Sequence, residues 1–256
     1  MRNWWLGLAL GLISLSPAIA DSPGGPDTTR VEVPVLALLT PSYGYEEKNN
    51  IEVILWGKLP NQCYTLSQSD VARADGSSTL WLRQYAIHDT SGVCADESTM
   101  PDHMKVPVPY TVDVSVGHLA AGTYTFQYAD SAAKVQSRTM QVAPNVTPTV
   151  DTLPYAAVTA AIAPDVLNGA KHLKVRVTGV LNSTCTKLDP NIKILRENDV
   201  FVLMPTISVI PGATCGEIMD PFGQDVDLGT TFPGPHLIHV RSMNGKSVNK
   251  VVLISR

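Results

Sequence analysis

Along most of this chain apolar and polar residues alternate with a period of two, and helical spacing is scarce. Leu173-Lys174-Val175-Arg176-Val177-Thr178 alternates cleanly, the pattern of a strand with one face in a core and the other in water. Ile51, Val53 and Leu55 hold the equivalent places in the first half. Turn residues separate such runs. A run from Tyr64 to Val71 meets Asp75-Gly76 and returns from Thr79 to His88, which predicts a hairpin. A second hairpin is predicted from Ile192 to Leu195, through Glu197-Asn198-Asp199, and back over Val200 to Met204. Further on, Val112, Val114 and Val116 lead to a turn at Gly122, and Val226 and Leu228 lead to a turn at Gly234. A last strand closes each half, ending at Val142 and at Ile254. One series of strands is thus written twice, with about seven short strands per copy, the number expected of a β-sandwich.

The cysteines carry the same duplication. Cys63 and Cys94 are 31 residues apart, and Cys185 and Cys215 are 30 apart. The approach to the first cysteine matches as well, Gly57-Lys58-Leu59-Pro60-Asn61-Gln62-Cys63 against Gly179-Val180-Leu181-Asn182-Ser183-Thr184-Cys185. One disulfide per repeat follows, Cys63 with Cys94 and Cys185 with Cys215. Each closes a loop that the chain-entropy argument values at roughly 3–4 kcal/mol. The offset of about 122 residues is too long for a solenoid and indicates a duplicated unit. The predicted fold is all-β, two tandem sandwiches, with repeat 1 over 31–142 and repeat 2 over 155–256. Between them, 143–154 is a Pro-rich linker, and 21–30 is a flexible N-terminus rich in Pro, Gly and polar residues. With its own strands and bridge, each repeat is expected to fold alone.

Leu119-Ala120-Ala121-Gly122-Thr123-Tyr124-Thr125 resembles the L-x-x-G-x-Y segment near the end of many bacterial immunoglobulin-like domains. The resemblance covers both repeats as a pattern and implies an immunoglobulin-like sandwich for each. Repeat 2 departs from it, with His236 in the place of Tyr124. The cysteines also do not fall on the strands joined by the core disulfide of antibody domains. This fold hosts adhesins, chaperones, accessory modules and inhibitors alike, so function has to be argued from particular residues.

Residues 1–20 read as a signal peptide: Arg2, an apolar run from Trp4 to Leu15, and the small-x-small site Ala18-Ile19-Ala20. The apolar run is short for a membrane span, and no second one approaches that length, so the expectation is a periplasmic or secreted protein with no membrane insertion. Export agrees with an even cysteine count. The chain carries 19 basic and 23 acidic residues, a net charge of −4, and cleavage would remove the positive Arg2. That balance gives no electrostatic case for binding nucleic acid or an anionic membrane.

Catalytic motifs are missing. No G-x-S-x-G marks a nucleophile elbow, no Gly-rich loop would cradle a phosphate, and no acidic run forms a calcium loop. A non-enzymatic protein without a cofactor is the expectation. The loop after Cys94 offers Met100, His103 and Met104, thioether and imidazole donors that suit copper in an exported protein. The alternative for the same methionines is to cover an apolar edge. Beyond the leader, both tryptophans, Trp56 and Trp81, lie in repeat 1. On the strand from Thr79 to His88, Trp81, Arg83 and Tyr85 share one face and Leu80, Leu82 and Ala86 the other. Alternation does not choose the inward face. With the leucines inside, Trp81, Arg83 and Tyr85 form an exposed stripe of hot-spot residue types. With the stripe inside, Arg83 needs a buried partner. Tyr43 and Tyr45 are candidates to extend the same surface. The reading reached is a binding or structural protein that recognises a protein or cell-envelope partner chiefly through repeat 1, with metal binding at Met100–Met104 as the alternative.

Overall fold

A computed structural model describes residues 27–169, 172–212 and 214–255. The signal peptide expected over 1–20 lies outside them, as does most of the stretch expected to be flexible. Among the described residues the regular structure is strand, with two single-turn 3-10 segments at Gly92–Cys94 and Asp102–Met104. In the N-terminal half the strands are β1 (Thr28–Val33), β2 (Val35–Leu39), β3 (Tyr45–Glu46), β4 (Ile51–Leu59), β5 (Tyr64–Arg73), β6 (Thr79–Asp89), β7 (Val108–Gly117), β8 (Gly122–Ala129) and β9 (Val135–Ala143). In the C-terminal half they are β10 (Ala157–Ile162), β11 (Val166–Asn168), β12 (His172–Ser183), β13 (Thr186–Leu188), β14 (Lys193–Glu197), β15 (Val200–Met204), β16 (Ile207–Val209), β17 (Glu217–Thr230), β18 (Gly234–Ser242) and β19 (Lys246–Ser255). β1 starts at Thr28, inside the stretch expected to be flexible, and pairs with the end of β6.

Each half builds one three-stranded sheet and one larger sheet from its own strands, and the C-terminal half adds a two-stranded β13-β16 sheet. The three-stranded sheets have the order β2-β4-β7 and β10-β12-β17. The larger ones run β1-β6-β8-β9-β3, with β5 also on β6, and β11-β19-β18-β15-β14. Their pairings correspond. Hairpins β5-β6 and β14-β15 each deliver a strand that runs parallel to its neighbour, β6 to β8 and β15 to β18. Short strands β3 and β11 lie parallel to β9 and β19.

Three local devices recur in both halves and fix the register. Gly57 on β4 faces Tyr110 on β7, and a Cβ on it would sit 2.4 Å from that ring. Gly179 on β12 faces Phe222 on β17, and a Cβ there would meet the ring at 2.6 Å. In each case a glycine makes room for an aromatic side chain from the next strand. Gly122 and Gly234 start β8 and β18 at φ of 156° and 132°, a region that favours glycine. Two residues on, Tyr124 donates its hydroxyl to Ala120 O at 2.9 Å. His236, at the matching place, reaches Phe232 O at 2.8 Å through Nε2. A carbonyl only accepts, so Nε2 carries the proton. The histidine performs the same tie across the same four residues, and this accounts for the departure seen in the sequence.

Two cores lie between the paired sheets. Leu38, Val53, Leu55, Leu80, Leu82, Phe126 and Met140 belong to the first. Val175, Val177, Phe201, Leu203, Ile238 and Val252 belong to the second. The disulfides Cys63–Cys94 and Cys185–Cys215 are formed, with Cα separations of 5.7 and 5.3 Å.

A third apolar cluster joins the halves. Leu39 and Ile54, on the outer face of the β2-β4-β7 sheet, pack against Tyr155, Val200, Val202, Met204 and Leu237. The four main sheets are therefore stacked, and the N-terminal half covers the outer face of the C-terminal five-stranded sheet. Polar contacts ring this seam. Arg138 makes two bonds to the Asp199 carboxylate, at 2.7 and 2.9 Å. Glu52 accepts from Ser247 and Asn249. Arg241, 1 % exposed, donates Nη2 to Asn49 Oδ1 at 2.7 Å and to Asp151 Oδ1 at 3.1 Å. The segment 143–154 is pinned rather than free. Asn145 Nδ2 donates to Glu46, and Lys48 Nζ donates to the carbonyls of Thr147, Pro148 and Thr149. The halves share buried surface, so the expectation that each folds alone does not follow from this architecture.

Candidate functional site

The inward face of β6 carries Leu80, Leu82, Gln84 and Ala86, all buried. Gln84 is satisfied there by the carbonyls of Ser67 and Tyr85 and by Ser69 Oγ. Trp81, Arg83 and Tyr85 consequently point away from the core, Arg83 exposed and the two aromatics half-buried. Arg83 lies opposite Asp70 on β5, and Tyr85 lies opposite Glu32 on β1. Arg30 reaches across β6: its guanidinium stacks 3.9 Å from the Tyr85 ring centroid and meets Asp70 at 3.4 Å. The Tyr85 hydroxyl, then Glu32 and Asp70, raise the pKa of Arg83 and hold it charged. This end of the stripe is a charge-balanced cluster, with the face of Tyr85 covered. Trp81 lies beyond it, with Ala72 on one side and Gln127 of β8 on the other.

The two other tyrosines do not join this surface. Tyr45 is 1 % exposed: its hydroxyl donates to Glu52 O at 2.9 Å and its ring meets His239 edge-on at 5.2 Å. The sequence offered it only as a candidate to extend the binding surface; it is instead a core residue at the seam, and burial raises its pKa. Tyr43 is 59 % exposed, yet it sits on the β2–β3 loop, which runs beside β9, with Ser42 O accepting from Gln141 N. Strands β8 and β9 separate it from the stripe, and its backbone N–H donates to Glu197 of the other half.

The candidate metal loop is arranged around the first disulfide. Met100, 3 % exposed, packs with Cys63 and Cys94, and Met104 lies against the same cluster. His103 is exposed, and its carbonyl accepts from Gln62 Nε2. The methionines therefore cover the disulfide. Among the described residues no group of three or more His, Cys, Asp and Glu side chains could hold a metal ion. No helix among them is long and apolar enough to cross a membrane. No family model, curated protein or solved structure matches this chain.

Sequence reasoning stopped at β6 and missed its neighbours. In register with Trp81 are Gln127 on β8 and Ser137 on β9; in register with Thr79 are Thr125 and Thr139. Thr123 and Gln141 complete the outward rungs. The signal was legible in Thr123-x-Thr125-x-Gln127 and Ser137-x-Thr139-x-Gln141, polar at every second position opposite buried Tyr124, Phe126, Met140 and Val142.

Proposed function

We propose that this chain is an exported, non-enzymatic binding protein made of two tandem immunoglobulin-like sandwiches. Its recognition surface is the outward face of the six-stranded sheet, and its partner is a protein or cell-envelope component. The observation that carries the reading is the exposure of that face. The equivalent face in the C-terminal half is covered, whereas β6 presents Trp81 and Arg83 to solvent. Tryptophan and arginine are the residue types that dominate binding hot spots. The matched strand pairings and the backbone tie made by Tyr124 and His236 support an immunoglobulin-like assignment for both units. The two disulfides support an oxidising compartment.

The test uses full-length protein and a Trp81→Ala, Arg83→Ala double variant. The expected result is an unchanged circular dichroism spectrum with loss of partner capture from a native envelope extract. Equal capture by both proteins would remove the surface from consideration.

A further inference from the structure

The chemistry of the open face can be taken further, resting on the reading that this face binds a partner. Around Trp81 the outward residues of β8 and β9 are neutral hydrogen-bonding side chains. They are arranged as Thr123 beside Gln141, Thr125 beside Thr139, and Gln127 beside Ser137. No hydrogen bond to another described residue involves any of these six side chains. Their hydroxyls and amides are therefore free to bond a ligand. Of the nearby charges, Arg30 is paired with Asp70, and Arg83 lies beside Tyr85 and opposite Asp70. At the β9 margin the face runs into a cleft of about 520 Å³ shared with the C-terminal half. Ser137, Arg138 and Thr139 line one side, and Glu197, Asn198, Asp199 and Phe232, 51 % exposed, line the other; Arg138 is paired with Asp199, and Glu197 accepts from the backbone N–H groups of Ser42 and Tyr43. Two aromatic rings thus bracket a polar strip that crosses β6, β8 and β9, roughly 10 Å from first strand to last, and its outward side chains on β8 and β9 are neutral.

We infer that this strip binds a neutral glycan chain, one sugar ring stacked on Trp81 and the chain running over β8 and β9 toward Phe232. A pyranose ring presents polarised C–H bonds on its face, which suit the electron-rich face of an indole. Its rim of hydroxyls is both donor and acceptor, as are Thr, Ser and Gln side chains. Many modest neutral hydrogen bonds around one aromatic anchor match such a ligand. A nucleic acid would need unmatched cations along the path. A protein hot spot would need a dry apolar centre, and the strip offers hydroxyls there.

The experiment is affinity electrophoresis of the full chain in gels containing soluble neutral β-glucan, mannan or galactan, with polygalacturonate and heparin as charged controls. At least one neutral polymer should retard the protein, insensitive to salt. Trp81→Ala and Gln127→Ala should each weaken that retardation roughly five- to tenfold. Thermal midpoints of both variants are measured alongside, and Thr139→Asp, on an exposed position, gives an independent variant that keeps the fold. Retardation by none of the neutral polymers, or retardation unchanged in Trp81→Ala, overturns the glycan assignment. Retardation by the charged polymers alone, abolished by salt, overturns it too. If the polysaccharides fail while the Trp81→Ala, Arg83→Ala variant still loses its partner from the extract, the binding face stands and the glycan class falls. If both assays fail, the binding face falls as well.

Discussion

The two large sheets have the same strand pattern and opposite outer faces. Registered through Gly122 and Gly234 and through the parallel strand pairs, Thr79, Trp81 and Arg83 correspond to Val200, Val202 and Met204. Thr125 and Gln127 correspond to Leu237 and His239, and Thr139 and Gln141 to Val251 and Leu253. The inner faces stay apolar in both, Leu80, Leu82 and Phe126 against Phe201, Leu203 and Ile238. The backbone therefore leaves the chemistry of the outer face free. In the C-terminal half that face takes part in the seam between halves, and in the N-terminal half it meets solvent. What distinguishes the two units is which of them is covered.

The heaviest test of this comparison is to separate the halves. Residues 150–256 alone would expose Val200, Val202, Met204, Leu237 and Tyr155, which are buried in the whole chain. At roughly 1.5–3 kcal/mol per large apolar side chain, the loss is comparable to the whole stability of an ordinary domain. The isolated half should show no cooperative unfolding, or a midpoint far below that of the full chain. An unchanged midpoint would mean that the seam contributes nothing.

Moving one residue type from the open face to the covered one is the next test. Leu237→Thr places a hydroxyl in the third apolar cluster and removes its centre, at a cost of about 2–4 kcal/mol by urea unfolding. A change below about 0.5 kcal/mol would show the seam to be wet and loosely packed.

A further effect should appear with pH. His239 is fully buried at the seam, with Nδ1 donating to Asn249 Oδ1 at 2.8 Å. Burial first, and the Arg241 charge next, depress its pKa to about 3. Unfolded, it titrates near 6.5. Between these values the unfolded chain binds a proton that the folded chain excludes, so stability falls as the pH is lowered from 6.5 toward 3. The slope from this residue is about 1.4 kcal/mol per pH unit. His239→Gln should flatten the acid limb, and an identical limb in both proteins would show that His239 stays accessible to protons. The smallest effect is the reciprocal swap. Thr125→Leu on the open face should change stability by less than about 0.5 kcal/mol. A larger loss would indicate that the outward face is packed in solution.

The strands were legible because one-sided burial imposes alternation, as at Thr79 to Gln84. Pairing by disulfide was legible because both spacings recur. The cover over the C-terminal sheet was written in the chain too, at Val200-Phe201-Val202-Leu203-Met204. An unbroken apolar run of that length signals a strand buried on both faces. Read as one arm of a hairpin, it hid the seam, and with it the role of Tyr45. A tyrosine near the chain surface and one at a seam look alike in sequence, because the partner comes from far along the chain, here His239. Arg241 was invisible for the same reason: its partners Asn49 and Asp151 are distant in sequence and belong to a turn and to the segment expected to be a linker.

The seam joins unlike surfaces, the outside of a three-stranded sheet to the outside of a larger one. A contact of that head-to-tail kind has no built-in end, since each unit added leaves both surfaces open again. The two surfaces outside the seam carry other residues. At one end Thr125 and Gln127 stand where the joint would need Leu237 and His239. At the other, Arg176 paired with Asp225 stands where the joint would need Ile54. Side-chain choice on matched strand pairs thus decides which surfaces of these two units join and which stay open.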